Sequence, residues 1–129
     1  MRHRRKSKHF GRRSEERVAL GRALVVGFLL SPERRIVTTV AKAKWICGLI
    51  DSVCCELAKL SVGGEAGSAR LSQIRRIASQ LGGRHVLGQV MRCGVGAGCR
   101  ATGGNVRVQK LATRRLGDSG KTAVLELVR

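Results

Sequence analysis

Between residues 43 and 60 the apolar side chains Ala43, Ile46, Ile50, Val53, Leu57 and Leu60 recur at steps of three and four. That period predicts a helix running to about Leu60, opened by Thr38 or Thr39, with one buried face. Lys42, Lys44, Asp51 and Lys59 fall off the stripe. Such a face must be covered, and the flanking sequence supplies the cover. Upstream, Leu20, Leu24 and Phe28 recur at four-residue spacing with Val25 and Leu29 beside them. Ser14 can cap that helix with its hydroxyl, Glu15 and Glu16 suit its positive end, and Pro32 stops it. Arg34 to Thr39 is short and β-branched, and is expected to be extended. Downstream, Ser68 or Ser72 opens a third helix with Leu71, Ile74, Ile77, Ala78 and Leu81 inward and Arg70, Arg75 and Arg76 outward. Gly63-Gly64 and Gly82-Gly83 close the second and third helices. Residues 84–102 are glycine-rich without periodicity and receive no assignment. Asn105–Leu111 and Lys121–Val128 are expected strands, joined by a loop holding Arg114, Arg115, Gly117, Asp118 and Gly120. Helices first and a terminal hairpin last predict an α+β fold, about three helices packed on a small sheet that includes the hairpin. At 129 residues this is one domain, residues 14–129, behind an arm of residues 1–13.

The charge is the second constraint. Twenty-six Lys and Arg against eight Asp and Glu give a formal +18. So much positive charge on a small body repels itself unless a polyanion neutralises it, and nucleic acid is the commonest such partner. The arm concentrates it: Arg2, Arg4, Arg5, Lys6, Lys8, Arg12 and Arg13, with His3 and His9, and no acid. It has almost nothing apolar to bury, so it is expected to lack a fold of its own when free. The longest apolar stretch, Val18 to Leu30, is 13 residues and contains Arg22. A bilayer span needs about 20, which excludes a transmembrane protein.

Specific chemistry finds little support. The carboxylates are few and scattered, and two of the three histidines lie in the arm. Gly94-Val95-Gly96-Ala97-Gly98 lacks the strand, helix and distal acid of a dinucleotide loop, and Gly120-Lys121-Thr122 has Arg115 where a Walker loop needs its first glycine. The five cysteines include no C-x-x-C pair, so they are expected to be reduced small hydrophobes rather than metal ligands. Trp45, the one tryptophan, is expected to be core or interface filler, because single-strand readers stack bases on several aromatics. Recognition would then run through phosphates, sugars and RNA shape. No metal, cofactor, small-molecule substrate or membrane is expected as a partner. One reading that fits these features is a free-standing basic architectural protein that binds DNA and RNA alike.

A set of short matches in order and spacing resembles the bacterial-type large-subunit ribosomal protein L17 family. They are Met1-Arg2-His3-Arg4, Arg17, Arg22, Arg35-Ile36-x-Thr38-Thr39-x-x-Lys42-Ala43-Lys44 and Leu57-Ala58-Lys59. The set continues with Leu81-Gly82, Gly103-Gly104-x-x-Arg107-x-x-Lys110, Gly117-Asp118 and Leu125-Glu126-Leu127-Val128. The resemblance implies helices on a small sheet, a structural and non-catalytic role, and a place on large-subunit rRNA near the exit of the nascent-chain tunnel beside other ribosomal proteins. It implies rRNA contacts at Arg17, Arg22, Arg35, Thr38, Thr39, Lys42, Lys44, Arg107 and Lys110, to which the expected set adds the arm cations, His3 and the hairpin's Arg114. Against the family pattern, residues 84–102 look like an insertion. Arg34 and Trp45 stand where the family usually has glutamate, and Asn105 stands where it has tyrosine. An Arg-rich start also resembles a mitochondrial transit peptide. Because the family motif begins at the first residue, an uncleaved, cytoplasmic ribosomal protein is the expectation.

Overall fold

The first helix begins one residue earlier than its serine suggests. In the computed structural model, which describes residues 8–62 and 67–128, α1 spans Ser14–Leu30. The Arg17 amide donates to the Arg13 carbonyl at 3.0 Å, which makes Arg13 the cap and puts Ser14 inside the first turn, without a capping hydrogen bond. Glu15 and Glu16 lie in that turn as expected. Val25, Phe28 and Leu29 are buried. Past Pro32 the chain reverses through Arg34, a non-glycine residue at φ +53°. Its guanidinium donates to the carbonyls of Leu29 and Ser31 (3.0 Å for Ser31) and reaches the Cys93 carbonyl at 2.6 Å. The last carbonyls of a helix lack intrahelical partners and carry partial negative charge, so a cation there satisfies both.

β1, Arg35–Thr39, runs directly into α2, Val40–Val62. Thr38 and Thr39 are strand residues, half-buried, and Thr39 also stands directly before α2, at the position expected to open that helix. All six stripe residues of α2 are buried, and Cys54 and Ala58 join them. The expected glycine stop at 63–64 lies outside the described residues. α3, Ser68–Leu81, buries Ile77, Ala78 and Leu81. Leu71, expected inward, is 54% exposed: it sits in the first turn, ahead of the stretch that meets the core. Gly82 closes α3 in the left-handed conformation (φ +94°), and the Gly82 and Gly83 amides both donate to the Ala78 carbonyl.

The segment left unassigned above is a fourth helix, α4, Arg84–Arg92, followed by a 3-10 turn over Val95–Gly98. Both pack inward through Leu87, Val90 and Val95. The turn lies so close to α2 that a Cβ on Gly96 would fall 2.8 Å from the Leu57 carbonyl oxygen. Only glycine permits that approach, which explains part of the glycine content. A nine-residue helix interrupted by Gly88 shows too few turns for a period to emerge from the sequence.

β2, Val106–Arg114, and β3, Lys121–Leu127, form the terminal hairpin, and β1 adds to its other side. The sheet order is β1-β3-β2, antiparallel throughout, with Ile36 opposite Leu125 and Val108 opposite the same residue. Ala123 and Leu125 are fully buried, so their face of the sheet meets α2, and Arg35, Arg107 and Glu126 point to the other face. β2 runs to Arg114, which is a strand residue rather than part of the loop. All five cysteines are free; Cys54 is buried and Cys93 exposed. No helix among the described residues is long and apolar enough to cross a membrane.

Candidate nucleic-acid interface

The antiparallel register decides which cations are neighbours. At one end of the sheet Thr39 pairs with Thr122, Lys110 with Ala123 and Arg114 with Lys121. This is also the end at which β1 becomes α2, so the first turns of α2, with Lys42 and Lys44, begin there. The fold therefore gathers Thr38, Thr39, Lys42, Lys44, Lys110 and Arg114 from the predicted set at one pole, and adds Lys121. Lys44, Lys110, Arg114 and Lys121 are exposed and Lys42 half-exposed. Among the described residues none of these five makes an ion pair.

Two features of the pole are unfavourable for the protein alone. Arg114 and Lys121 are direct cross-strand partners, an arrangement that destabilises a hairpin when both carry the same charge. The first turn of α2 contains no acid. Lysines near a helix N-terminus face its positive end, where anions are favoured. An external polyanion relieves both, since phosphates can lie between the opposed cations and at the helix start.

The arm joins the same region through an aromatic contact. Phe10 packs edge-on against Trp45, ring centroids 5.2 Å apart at 65°. Phe10 and Gly11 are both at positive φ, so the chain turns sharply there. Trp45 shares a helix face with Lys42, three residues back. Lys8, Arg12 and Arg13 are exposed beside this contact. The expectation that the arm has nothing to bury is thus corrected for residues 8–13: one phenylalanine is enough to dock them. Arg17 follows on α1, half-buried, within 3.2 Å of His9 Nδ1 and 3.4 Å of the Arg12 carbonyl. Arg2, His3, Arg4, Arg5 and Lys6 lie outside the described residues.

Arg35 and Arg107 belong to the opposite end. They flank Glu126 across three strands; Arg107 approaches it at 3.8 Å, and Arg35 pairs with Glu33 at 2.6 Å. Exposed pairs of this kind are weak, but a phosphate bound here would face both carboxylates. The same end holds a buried polar node. Asn105, fully buried, accepts the Arg100 amide at 2.6 Å, donates to the Arg100 carbonyl at 3.0 Å, and through Nδ2 approaches Cys55 Sγ at 3.5 Å. Asp51 of α2 accepts the Asn105 amide at 2.8 Å and the Gly104 amide at 3.2 Å. This node fixes where β2 begins, and it carries one exposed cation, Arg100, whose backbone it holds. Arg22 lines a cavity of about 450 Å³ together with Val18, Gly21, Val25, Trp45 and Leu49, and so shares Trp45 with the arm.

The hairpin turn was missed as a built feature. Arg115 forms two hydrogen bonds with the Asp118 carboxylate, 2.9 Å for Nε, and the Gly120 amide donates to the same group at 3.1 Å. These contacts hold the Asp118 carboxyl well below the usual carboxylate range and raise Arg115. The spacing Arg-x-x-Asp ahead of a glycine was the available signal. Elsewhere, a hydrogen bond with Cys99, reinforced by burial, pushes the Cys54 thiol up, and the same bond makes Cys99 the more acidic of the two. Among the described residues no group of three or more His, Cys, Asp and Glu is placed to hold a metal.

A family model for ribosomal protein L17 matches residues 22–128. The large ribosomal subunit protein bL17 of Hydrogenobaculum sp. (strain Y04AAS1) is 32% identical over 136 aligned residues, covering 99% of both chains. The protein of the same name from Sulfurihydrogenibium sp. (strain YO3AOP1) is 31% identical over 128 residues, covering 99% of this chain and 97% of the relative.

Proposed function

Because the chain belongs to the ribosomal protein L17 family, and so is a structural, non-catalytic constituent of the large ribosomal subunit, we propose that it binds and holds large-subunit rRNA through its basic pole and arm. The observation that carries this reading is the convergence of Lys42, Lys44, Lys110, Arg114 and Lys121 at one end of the sheet, without ion pairs among the described residues. Each Lys or Arg that neutralises a phosphate releases condensed counterions, so binding is strong and salt-sensitive without base-specific contacts. Arg2, His3, Arg4, Arg5, Lys6, Lys8, Arg12 and Arg13 extend the contact, with Phe10 on Trp45 fixing where the arm departs. Arg17 and Arg22 contribute from α1. The family resemblance supports a position near the exit of the nascent-chain tunnel, beside neighbouring large-subunit proteins, on cytoplasmic ribosomes.

The test is assembly. The chain should co-sediment with large subunits at moderate salt, and density for it should place the α2 start and hairpin against rRNA phosphates. Recovery only in ribosome-free fractions, with equal affinity for DNA and RNA, would support a free-standing architectural protein instead.

A further inference from the structure

The turn joining β2 to β3 holds the most exposed large apolar side chain among the described residues. Leu116 is 97% exposed, whereas the other exposed large hydrophobics range from 37% to 58%. A leucine in a floppy loop would mean little. This one sits on a braced turn. The Arg115 amide donates to the Gly120 carbonyl at 3.0 Å, Arg115 and Asp118 clasp each other across the turn, and Ser119 holds a left-handed conformation at φ +49°. Below the turn the strands are out of simple register: four residues of β2 advance, from Lys110 to Arg114, while β3 advances two, from Ala123 to Lys121. That irregularity is stitched by the Thr122 hydroxyl, which donates to the Thr113 carbonyl at 2.6 Å and lies 3.2 Å from the Thr113 hydroxyl. The tip is thus held in one shape before it meets anything, which lowers the ordering entropy lost on binding.

The surroundings of Leu116 select its partner. Arg114 and Lys121 oppose each other directly beneath it, and Lys110 is exposed on the same strand. The one acid of the turn, Asp118, is occupied by Arg115 and the Gly120 amide. A protein surface that buried the leucine would have to desolvate those cations with it. A folded RNA accommodates both: its phosphates neutralise the cations, and splayed bases or an opened step offer an apolar floor. Protein side chains of this type wedge between bases in other nucleic-acid complexes.

We propose that the 115–120 turn is an insertion element for folded rRNA, in which Leu116 enters an apolar slot between nucleotides while Arg114 and Lys121 grip the flanking phosphates. This rests on the rRNA-binding reading above and adds a contact of a different kind, one insensitive to salt. The Arg115–Asp118 clasp positions the leucine and touches no RNA base.

The experiment measures binding of the full chain to a large-subunit rRNA transcript across a salt series. Leu116→Ala should weaken binding about tenfold at every salt concentration with the slope unchanged, the loss expected when a buried leucine is truncated. Arg114→Ala with Lys121→Ala should instead flatten the slope, by about 0.7 to 0.9 per phosphate lost. Asp118→Ala should reproduce part of the Leu116→Ala loss by loosening the turn. A benzophenone-bearing residue at position 116 should crosslink to rRNA in reconstituted large subunits. Wild-type affinity in Leu116→Ala, or crosslinks to protein alone, would overturn the insertion element while leaving phosphate-driven binding intact. Absence of rRNA binding by the unaltered chain at any salt would overturn the reading beneath it.

Discussion

The two ends of the three-stranded sheet carry cations in opposite circumstances. At one end Arg35 and Arg107 stand among Glu33 and Glu126, above a buried node of Asp51, Asn105 and Arg100 backbone. At the other, Lys42, Lys44, Lys110, Arg114 and Lys121 have no ion-pair partner among the described residues, and two of them oppose each other across strands. Both ends are rich in Arg and Lys, so composition alone cannot separate them. Pairing does. Where carboxylates and buried hydrogen bonds absorb polar groups, the chain stabilises itself; where like charges meet, the chain alone is left with their repulsion. We propose that stability is concentrated at the first end and rRNA affinity at the second.

The largest expected effect attacks the self-stabilised end. Asn105→Ala strips the hydrogen bonds of the Arg100 backbone and leaves a void in a fully buried site. It should lower unfolding free energy by about 2 to 4 kcal/mol, measured by urea denaturation, with the salt slope of rRNA binding unchanged in the folded protein. A comparable loss of stability from Arg114→Ala would erase the contrast between the ends.

Next is Gly96→Ala, which drives a methyl group against the Leu57 carbonyl and the Ser61 hydroxyl. Overpacking of this kind should cost about 1 to 3 kcal/mol, read as a lower midpoint of thermal unfolding. If the variant melts like the parent, the 3-10 turn is not seated on α2 as described.

Phe10→Ala tests how the arm reaches the pole. An aromatic pair contributes about 0.5 to 1.5 kcal/mol beyond the area it buries. Trp45 is the only tryptophan, so its emission should shift to the red when Phe10 is lost. Affinity for rRNA should fall severalfold. An unmoved spectrum would detach the arm from α2.

The smallest effect is a pH dependence. The Asp118 carboxyl titrates below its ordinary range in the folded chain, held down first by Arg115 and then by the Gly120 amide. Its contribution to the turn is therefore complete above the ordinary carboxylate pKa, near 4, and is lost as pH falls through the lower folded value. The Gly120 amide resonance, followed by NMR, should hold its position through the range where free aspartate titrates and move only below it. Movement centred near pH 4 would mean the clasp does not form.

Much of the frame was legible because it rests on periodicity. Every stripe residue of α2 is buried, α1 and α3 lie where their spacing puts them although Arg13 and Gly67 stand at their caps in place of the expected serines, and the hairpin strands fall within a few residues of their predicted bounds. What escaped depends on distance in space. Leu71 has the right spacing but begins its helix before the core is reached. Gly96 is chosen by a carbonyl 39 positions earlier in the chain, and the short helix before it offers no lasting period. The pole could not be seen as a cluster, because only the antiparallel register brings Arg114 to Lys121 and both to the end where α2 starts. Three of the family departures noted in the sequence make specific local contacts. Arg34 closes the end of α1, Trp45 receives Phe10, and Asn105 serves the buried node.

The most direct test of the division between the two ends is the salt dependence of rRNA binding in two double variants. Arg114→Ala with Lys121→Ala should flatten the slope of log K against log salt by about 1.5, whereas Arg35→Ala with Arg107→Ala should change it by less than about 0.5. Equal slopes for the two variants, or a larger change from the Arg35 and Arg107 pair, would contradict the assignment of rRNA binding to the pole.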